Sequence, residues 1–360
     1  MKRMTIFSLV LLLFCSACGS DAAQLTVVTG IGVDGLPGEY EVGAEVIRLT
    51  DQKDGGQSTY LSGSGLTLTD GIDRMVSMTG RSLRSNHAQV LLIHQKTARK
   101  GLRSLLEELL RSNHYPVFLR LAITKDSAAK TLQAKPVVSD LHSVEMEDMI
   151  REGAKHGLAP DQNIGNFYQE MCAPGIEAVL PFIELRENKG EQVCSLAGSV
   201  LFRGEVMDSV LDERDTRCLL WMRGHSGGTL VTDCATFEVM SLKRKLTATP
   251  ETATICLEVT LKASDNEENR EALIREAEQE LHEQCTTLLR QLKKLECDAI
   301  GFGNRIYQKH PSQWKALEEQ WPQTFAEYPI RVEVTVKHII WGRVWSNDGT
   351  RAQEEIKHGS

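Results

Sequence analysis

Between residues 269 and 296 the apolar positions Ile274, Ala277, Leu281, Cys285, Leu288, Leu292 and Leu295 recur at steps of 3, 4, 4, 3, 4 and 3. That spacing holds them on one narrow face of a helix, the longest the chain offers. A seam of this kind needs a surface to lie on, and strand patterns flank it. Residues 254–263 put Ile255, Leu257, Val259 and Leu261 on one face, and residues 330–341 set Val332, Val334 and Val336 against Arg331, Glu333, Thr335 and Lys337. A free-standing coiled coil is the weaker reading, because the heptads stand alone between strands. The second half is therefore expected to lay one long helix on a sheet.

Other signals in that half agree. CSLAGSVLF, from residue 194, reads as the start of a new sheet, with a turn at Arg203-Gly204-Glu205 and a helix over 212–221 carrying Leu219, Leu220 and Trp221. Short strands are expected at 229–231, 235–239 and 242–246. Gly301 and Gly303 close the long-helix region. Trp314 and Trp321, seven apart on an expected helix, read as a core stripe, with a partner groove as the alternative.

In the first half, Gly30, Gly32 and Gly35 fit GxGxxG after a strand. A dinucleotide site would also need a helix to open at the third glycine. Leu36-Pro37-Gly38 is turn chemistry instead, and Tyr40, Val42, Ala44 and Val46 alternate as a strand does, so two strands joined by a hairpin are expected. Residues 51–65 read as a surface loop. A helix through Met78 follows, capped by Thr69 or Asp70. Next come a core strand at 90–94, a helix from about Thr97 with a stripe of Leu102, Leu105, Leu106, Leu109 and Leu110, a strand at 117–124, short helices at 127–133 and 140–153, and a linker or edge strand over 173–183. Glu187-Asn188-Lys189-Gly190 marks the expected domain boundary.

Hydrophobic residues at 41% and charged residues at 25% are globular values and exclude a disordered or polytopic chain. The formal net charge of −8 makes phosphate-backbone binding to nucleic acid a poor fit. The sequence has no HExxH or P-loop, and the ten histidines show no i, i+4 pair that would suggest a metal site. His87 and His94 bracket the 90–94 strand and read as structural. Seven cysteines follow Cys18 (Cys172, Cys194, Cys218, Cys234, Cys256, Cys285 and Cys297), without CxxC spacing; buried small apolar residues are preferred over a disulfide framework. Neither Cys172 nor Cys218 has a histidine near it in sequence.

The first eighteen residues address the chain. Lys2 and Arg3 precede an apolar stretch over 5–14, and Ser16-Ala17 precede Cys18. Ten helical residues rise about 15 Å, too little to span a bilayer, so this reads as a secretory signal. The Ser-Ala-Cys ending reads as a bacterial lipobox, in which Cys18 takes thioether-linked lipid and becomes the mature N-terminus. Cys15 stands where leucine is usual. A free Cys18 after ordinary cleavage, and an uncleaved anchor, are the alternatives.

Taken in order, the lipobox, TGIGVDG, GRSLRSNHAQVLLI, AGSVLFRGEVMDSVLDERDTRCLLWMRG and GFGNRIYQKHPSQWKALEEQWPQTF closely resemble the C subunit of spore germinant receptors, the Ger(x)C lipoprotein family. The resemblance spans nearly the whole chain after Cys18. It lacks the Trp-Asp pair that many relatives carry soon after the lipid cysteine. It implies a protein held by diacylglyceryl-Cys18 on the outer face of the spore inner membrane, assembled with membrane-spanning A and B subunits, without a catalytic residue or cofactor and with no small-molecule ligand assigned to this subunit. The expected fold is α+β, with mixed or antiparallel sheets packed with helices in two or three domains: a signal peptide at 1–17, an N-terminal domain at 18–190 that divides near Pro136 if there are three, a C-terminal domain at 191–345, and a polar tail at 346–360. The rival function is a lipid-anchored solute-binding protein of a transporter, which would need two lobes about a ligand cleft.

Overall fold

The computed structural model describes residues 26–48, 58–263 and 270–341. The first part of the chain forms β1 (Thr26–Leu36), β2 (Glu39–Arg48), β3 (Ser58–Gly65), α1 (Leu68–Thr79), β4 (Leu83–Arg84), β5 (Val90–His94), α2 (Gln95–Ala98), α3 (Arg103–Arg111), β6 (Arg120–Thr124), α4 (Ala128–Leu132), α5 (His142–Lys155) and α6 (Ile164–Met171). It continues as β7 (Val179–Asn188), β8 (Glu191–Arg203), β9 (Val206–Leu211) and α7 (Glu213–Arg223). The rest is β10 (Thr229–Val231), β11 (Thr236–Ala248), β12 (Ala253–Ala263), α8 (Arg270–Lys294), α9 (Phe302–Lys309), α10 (Pro311–Leu317), a 3-10 turn at Glu318–Gln320, α11 (Trp321–Glu327) and β13 (Ile330–Trp341).

Nine of the described strands make one mixed sheet in the order β3-β2-β1-β5-β6-β7-β8-β9, with β4 beside β1. Its centre, β1 to β7, is parallel, and antiparallel hairpins extend it at both sides. The unbroken apolar run of β5 follows from this position, since a parallel strand with helices on both faces has no wet side. Leu91 and Ile93 enter a core with Leu105, Leu106 and Leu109 of α3 and Phe167 of α6. Val90 and Leu92 enter the opposite core with Leu132 of α4 and Met146 and Ile150 of α5. β10-β11-β12-β13 form a second sheet, antiparallel except for the β12–β13 pair. The α8 seam packs there through Ala277, Leu281, Cys285, Leu288 and Leu292, against Ile255, Leu257, Val259 and Leu261. The fold is α+β, as the alternation of patterns indicates, and the β1–β2 hairpin, the long helix and the last strand lie where the sequence places them.

Several elements depart from their sequence reading. Ser58–Gly65 is strand β3, not loop; residues 51–57 lie outside the described residues. Its small residues let α1 lie close, the Gly63 and Gly65 positions sitting directly against the Gly71 backbone. The expected helix from Thr97 is two short helices separated at Gly101, whose φ of 99° a side chain would resist. Residues 173–183 hold no edge strand: β7 is interior, and Pro181 is accommodated because the ladder shifts register between Pro181 and Ile183. CSLAGSVLF opens no new sheet, since β8 pairs with β7 in the first one. Between them Lys189 (φ 53°) and Gly190 (φ 84°) form a two-residue hairpin turn, both at positive φ as the type I′ twist demands. The first sheet therefore runs past residue 190 to Leu211. The strands expected at 235–239 and 242–246 are one strand, β11, with an irregularity between Val239 and Ser241.

Candidate functional site

A network of buried polar groups ties the two halves of the chain together around the segment Cys297–Gly303. Asp298 is 2% exposed. One carboxylate oxygen accepts from the amides of Gly301 (2.8 Å) and Phe302 (3.1 Å), the other from the amide of Gly303 (2.7 Å) and from Trp321 Nε1 (3.1 Å). Burial raises its pKa, and these four donors pull the other way. Asp298 thus caps α9 from outside the helix, since Gly301 has no side chain to do so. The G-x-G spacing has a steric origin: a Cβ at Gly303 would sit 2.5 Å from Trp321 Nε1. Trp314 and Trp321, on α10 and α11, pack edge to face with ring centroids 5.5 Å apart, and both are buried. They are core residues on two helices, not one stripe on a single helix.

Arg223, at the end of α7, ties three segments to this centre. It pairs with Glu170 of α6 at 2.6 Å and donates to the carbonyls of Ala299 (2.6 Å) and Glu177 (2.9 Å). Beside it a cleft of about 190 Å³ is lined in part by Glu177, Gly204, Glu296, Asp298, Trp314 and Trp321. The Glu177 carboxyl accepts from the Gly204 amide at 2.8 Å. Burial, reinforced by the charges of Asp298 and Asp208, pushes it up to about 7. The cleft contains a carboxyl able to change charge near neutral pH, but no nucleophile lines it.

Other chemistry-bearing residues are used for the fold. Cys18 lies outside the described residues. His87 is exposed, and His94 sets Nδ1 3.3 Å from Asp34. Asp34, from the decoy glycine motif, accepts from the amides of Ala128 and Ala129 (both 2.9 Å) and so caps α4. Gly30 of that motif faces α5: a Cβ there would come within 2.6 Å of the Ser143 Cβ. The glycines exist for close helix–sheet packing. Glu45 and Glu108 act like Asp34, accepting from first-turn amides of α5 and α1 respectively.

Sequence reasoning missed one thiol–imidazole contact, Cys194 Sγ to His142 Nε2 at 3.3 Å, because 52 residues separate the partners. It is a poor nucleophile. Burial pushes the Cys194 thiol up to about 12 and lowers the His142 pKa. His142 Nε2 also lies 2.9 Å from the Thr131 carbonyl, which needs a proton on that nitrogen and leaves it no lone pair for the thiol hydrogen. Cys218, Cys285 and Cys297 are buried, Cys194 and Cys256 half-buried, and Cys172 and Cys234 exposed; all are free. Among the described residues no group of three or more His, Cys, Asp or Glu could hold a metal ion, and no helix is long and apolar enough to cross a membrane.

Comparison with known proteins places these features. Residues 20–185 match the family model described as the spore germination protein N-terminal domain, and residues 197–339 match the one described as spore germination B3/GerAC-like, C-terminal. The chain is similar to the putative spore germination protein YfkR of Bacillus subtilis (strain 168), with 20% identity covering 92% of this chain and 95% of that one. It is also similar to the spore germination protein GerQC of Bacillus cereus, with 22% identity covering 94% and 98%. The crystal structure of the GerBC protein shares its fold, with a TM-score of 0.56 and 16% identity over 86% of this chain and 96% of that one.

Proposed function

The chain belongs to the spore germination B3/GerAC-like family, the Ger(x)C proteins, and on that premise we propose that it is the lipid-anchored, non-catalytic C subunit of a spore germinant receptor. The observation that carries this reading is the pair of family models, matched in order over most of the chain. The absence of a catalytic role is supported by how the polar groups are used: Asp34, Glu45, Glu108 and Asp298 are committed to helix starts, and the Cys194–His142 contact has the wrong protonation for attack. Ser226, in the GxSxG run at 224–228, stands in the turn after α7 with its hydroxyl accepting from the Leu242 amide, not at the strand–turn–helix corner a nucleophile elbow needs. In this reading Cys18 carries the lipid, the protein sits on the outer face of the spore inner membrane, and its partners are the membrane-spanning A and B subunits. The transporter reading would need two lobes about a hinge, whereas Val179, Leu201 and Leu211 of the first sheet share one core with the second. Cys18→Ala is expected to move the protein from the spore membrane fraction to the soluble fraction and to slow the response to one class of germinant. Retention in the membrane together with unchanged germination would overturn the proposal.

A further inference from the structure

A cleft of about 390 Å³ lies between β11 and α9, and Ile176 borders both it and the tryptophan-lined cleft. Two arginines line it, Arg244 of β11 and Arg305 of α9, together with the amide of Gln308, and no carboxylate does; Lys245, next along the strand, borders it with its side chain on the opposite face, beside Cys256. In a chain of formal net charge −8, carrying 49 acidic residues, that local imbalance is unusual. Among the described residues neither arginine forms an ion pair.

Arg244 is the informative member. Its Nη2 donates to the Ile300 carbonyl at 3.0 Å, which fixes the guanidinium, while its buried Nε has no partner. Burial, together with the nearby charges of Arg223 and Arg305, lowers its pKa to about 10, and Asp298 opposes this only in part. Arg223 is already satisfied by Glu170 and two carbonyls, so it adds field without being available to a ligand. A buried N–H without an acceptor and a set of like charges in one cleft both destabilise the chain when the cleft holds only water. An oxyanion would relieve both at once. Guanidinium groups suit a phosphate, whose oxygens accept from paired N–H groups.

We propose that the Arg244–Arg305 cleft binds a phosphate group, either of a free phosphate compound or of a phospholipid headgroup. Gln308 is exposed and Arg305 half-buried, so both can be replaced without opening the core. The test uses the full-length chain in detergent, wild type and Arg305→Ala/Gln308→Ala, titrated calorimetrically with inorganic phosphate and with glycerol 1-phosphate at constant ionic strength set by chloride. The same proteins are floated with phosphatidylcholine vesicles with and without phosphatidylglycerol. The anchor contributes equally to both proteins, so their difference reports the cleft. Saturable phosphate binding that the double variant weakens at least ten-fold, with unchanged circular dichroism, is the expected result. If flotation of the wild type alone then rises with phosphatidylglycerol and falls with added phosphate, the source is the headgroup; if flotation is indifferent, it is a free phosphate compound. No saturable binding and no lipid-dependent difference, or binding that the double variant leaves unchanged, would overturn the proposal.

Discussion

Glu177 should make this protein's stability fall as the pH rises toward neutrality. Its carboxyl titrates at about 7 in the folded chain against an ordinary 4.5. Burial is the main cause, the charges of Asp298 and Asp208 add to it, and the Gly204 amide and Arg203 oppose it. The folded chain thus holds this proton more tightly than the unfolded one. The contribution to stability is complete below about pH 4.5 and is lost as the pH rises through 7. At about 1.4 kcal/mol per pKa unit the shift is worth about 3 kcal/mol, and solvent at the cleft mouth trims this to roughly 2 kcal/mol. Glu177→Gln keeps an oxygen for the Gly204 amide and stays neutral at every pH. In urea denaturation followed by tryptophan fluorescence, the variant should match the wild type at pH 4.5 and exceed its stability by about 2 kcal/mol at pH 8. A difference between the two proteins that is the same at both pH values would refute the assignment.

Asp298→Ala leaves three backbone amides and the Trp321 indole without their acceptor. At about 1–3 kcal/mol for each buried donor that water cannot reach, a loss of roughly 4 kcal/mol is expected by chemical denaturation, with Asp298→Asn intermediate because it keeps one accepting oxygen; a change under about 1 kcal/mol would show that the cap is dispensable. Gly30→Ala should cost about 1–3 kcal/mol, because its Cβ would meet Ser143 at 2.6 Å. Gly38→Ala, with φ of 88° and open space around it, should cost only about 1 kcal/mol. Equal falls in the unfolding midpoint for the two glycines would contradict the packing role given to Gly30.

Periodicity made the α8 seam and β12 legible because each keeps one face to the core, and it served β13 as far as Val336, beyond which a register shift against β12 passes the inward place to Ile339. It failed where small residues answer to a distant neighbour. Gly63 and Gly65 look like loop glycines until α1 is seen lying on them, and the Gly30-Gly32 pair looks like a nucleotide fingerprint until α4 and α5 occupy the same space. Pro181 argued against an interior strand, and a local shift in register makes it one. The buried carboxylates were invisible for a related reason. Asp34 caps a helix 94 residues away and Glu45 one 97 residues away, so no local motif announces them. The thiol–imidazole pair has the same origin, and its chemistry needed protonation states that spacing cannot supply.

The strand β8 decides how far the chain can be divided. Val200 and Phe202 enter the core shared with α3 and α6, while Leu201, between them, enters the core of the second sheet with Leu211 and Trp221. One strand therefore feeds both cores through its two faces. A cut at 190 would take β8 and β9 from the first sheet and leave β7 as a bare edge next to exposed core. At about 2 kcal/mol for each large apolar side chain returned to water, Val200, Phe202 and Met207 alone would take about 6 kcal/mol from the first core, comparable with the whole stability of many domains. The C-terminal piece would lose Val179 from its core and both Glu170 and the Glu177 carbonyl from Arg223. Expressed separately, fragments 18–190 and 191–345 are expected to give collapsed amide spectra, and mixing them should restore dispersion. A well-dispersed spectrum from 191–345 alone would show that the C-terminal half folds without β7, and that the shared core and Arg223 bind two finished domains instead of completing one.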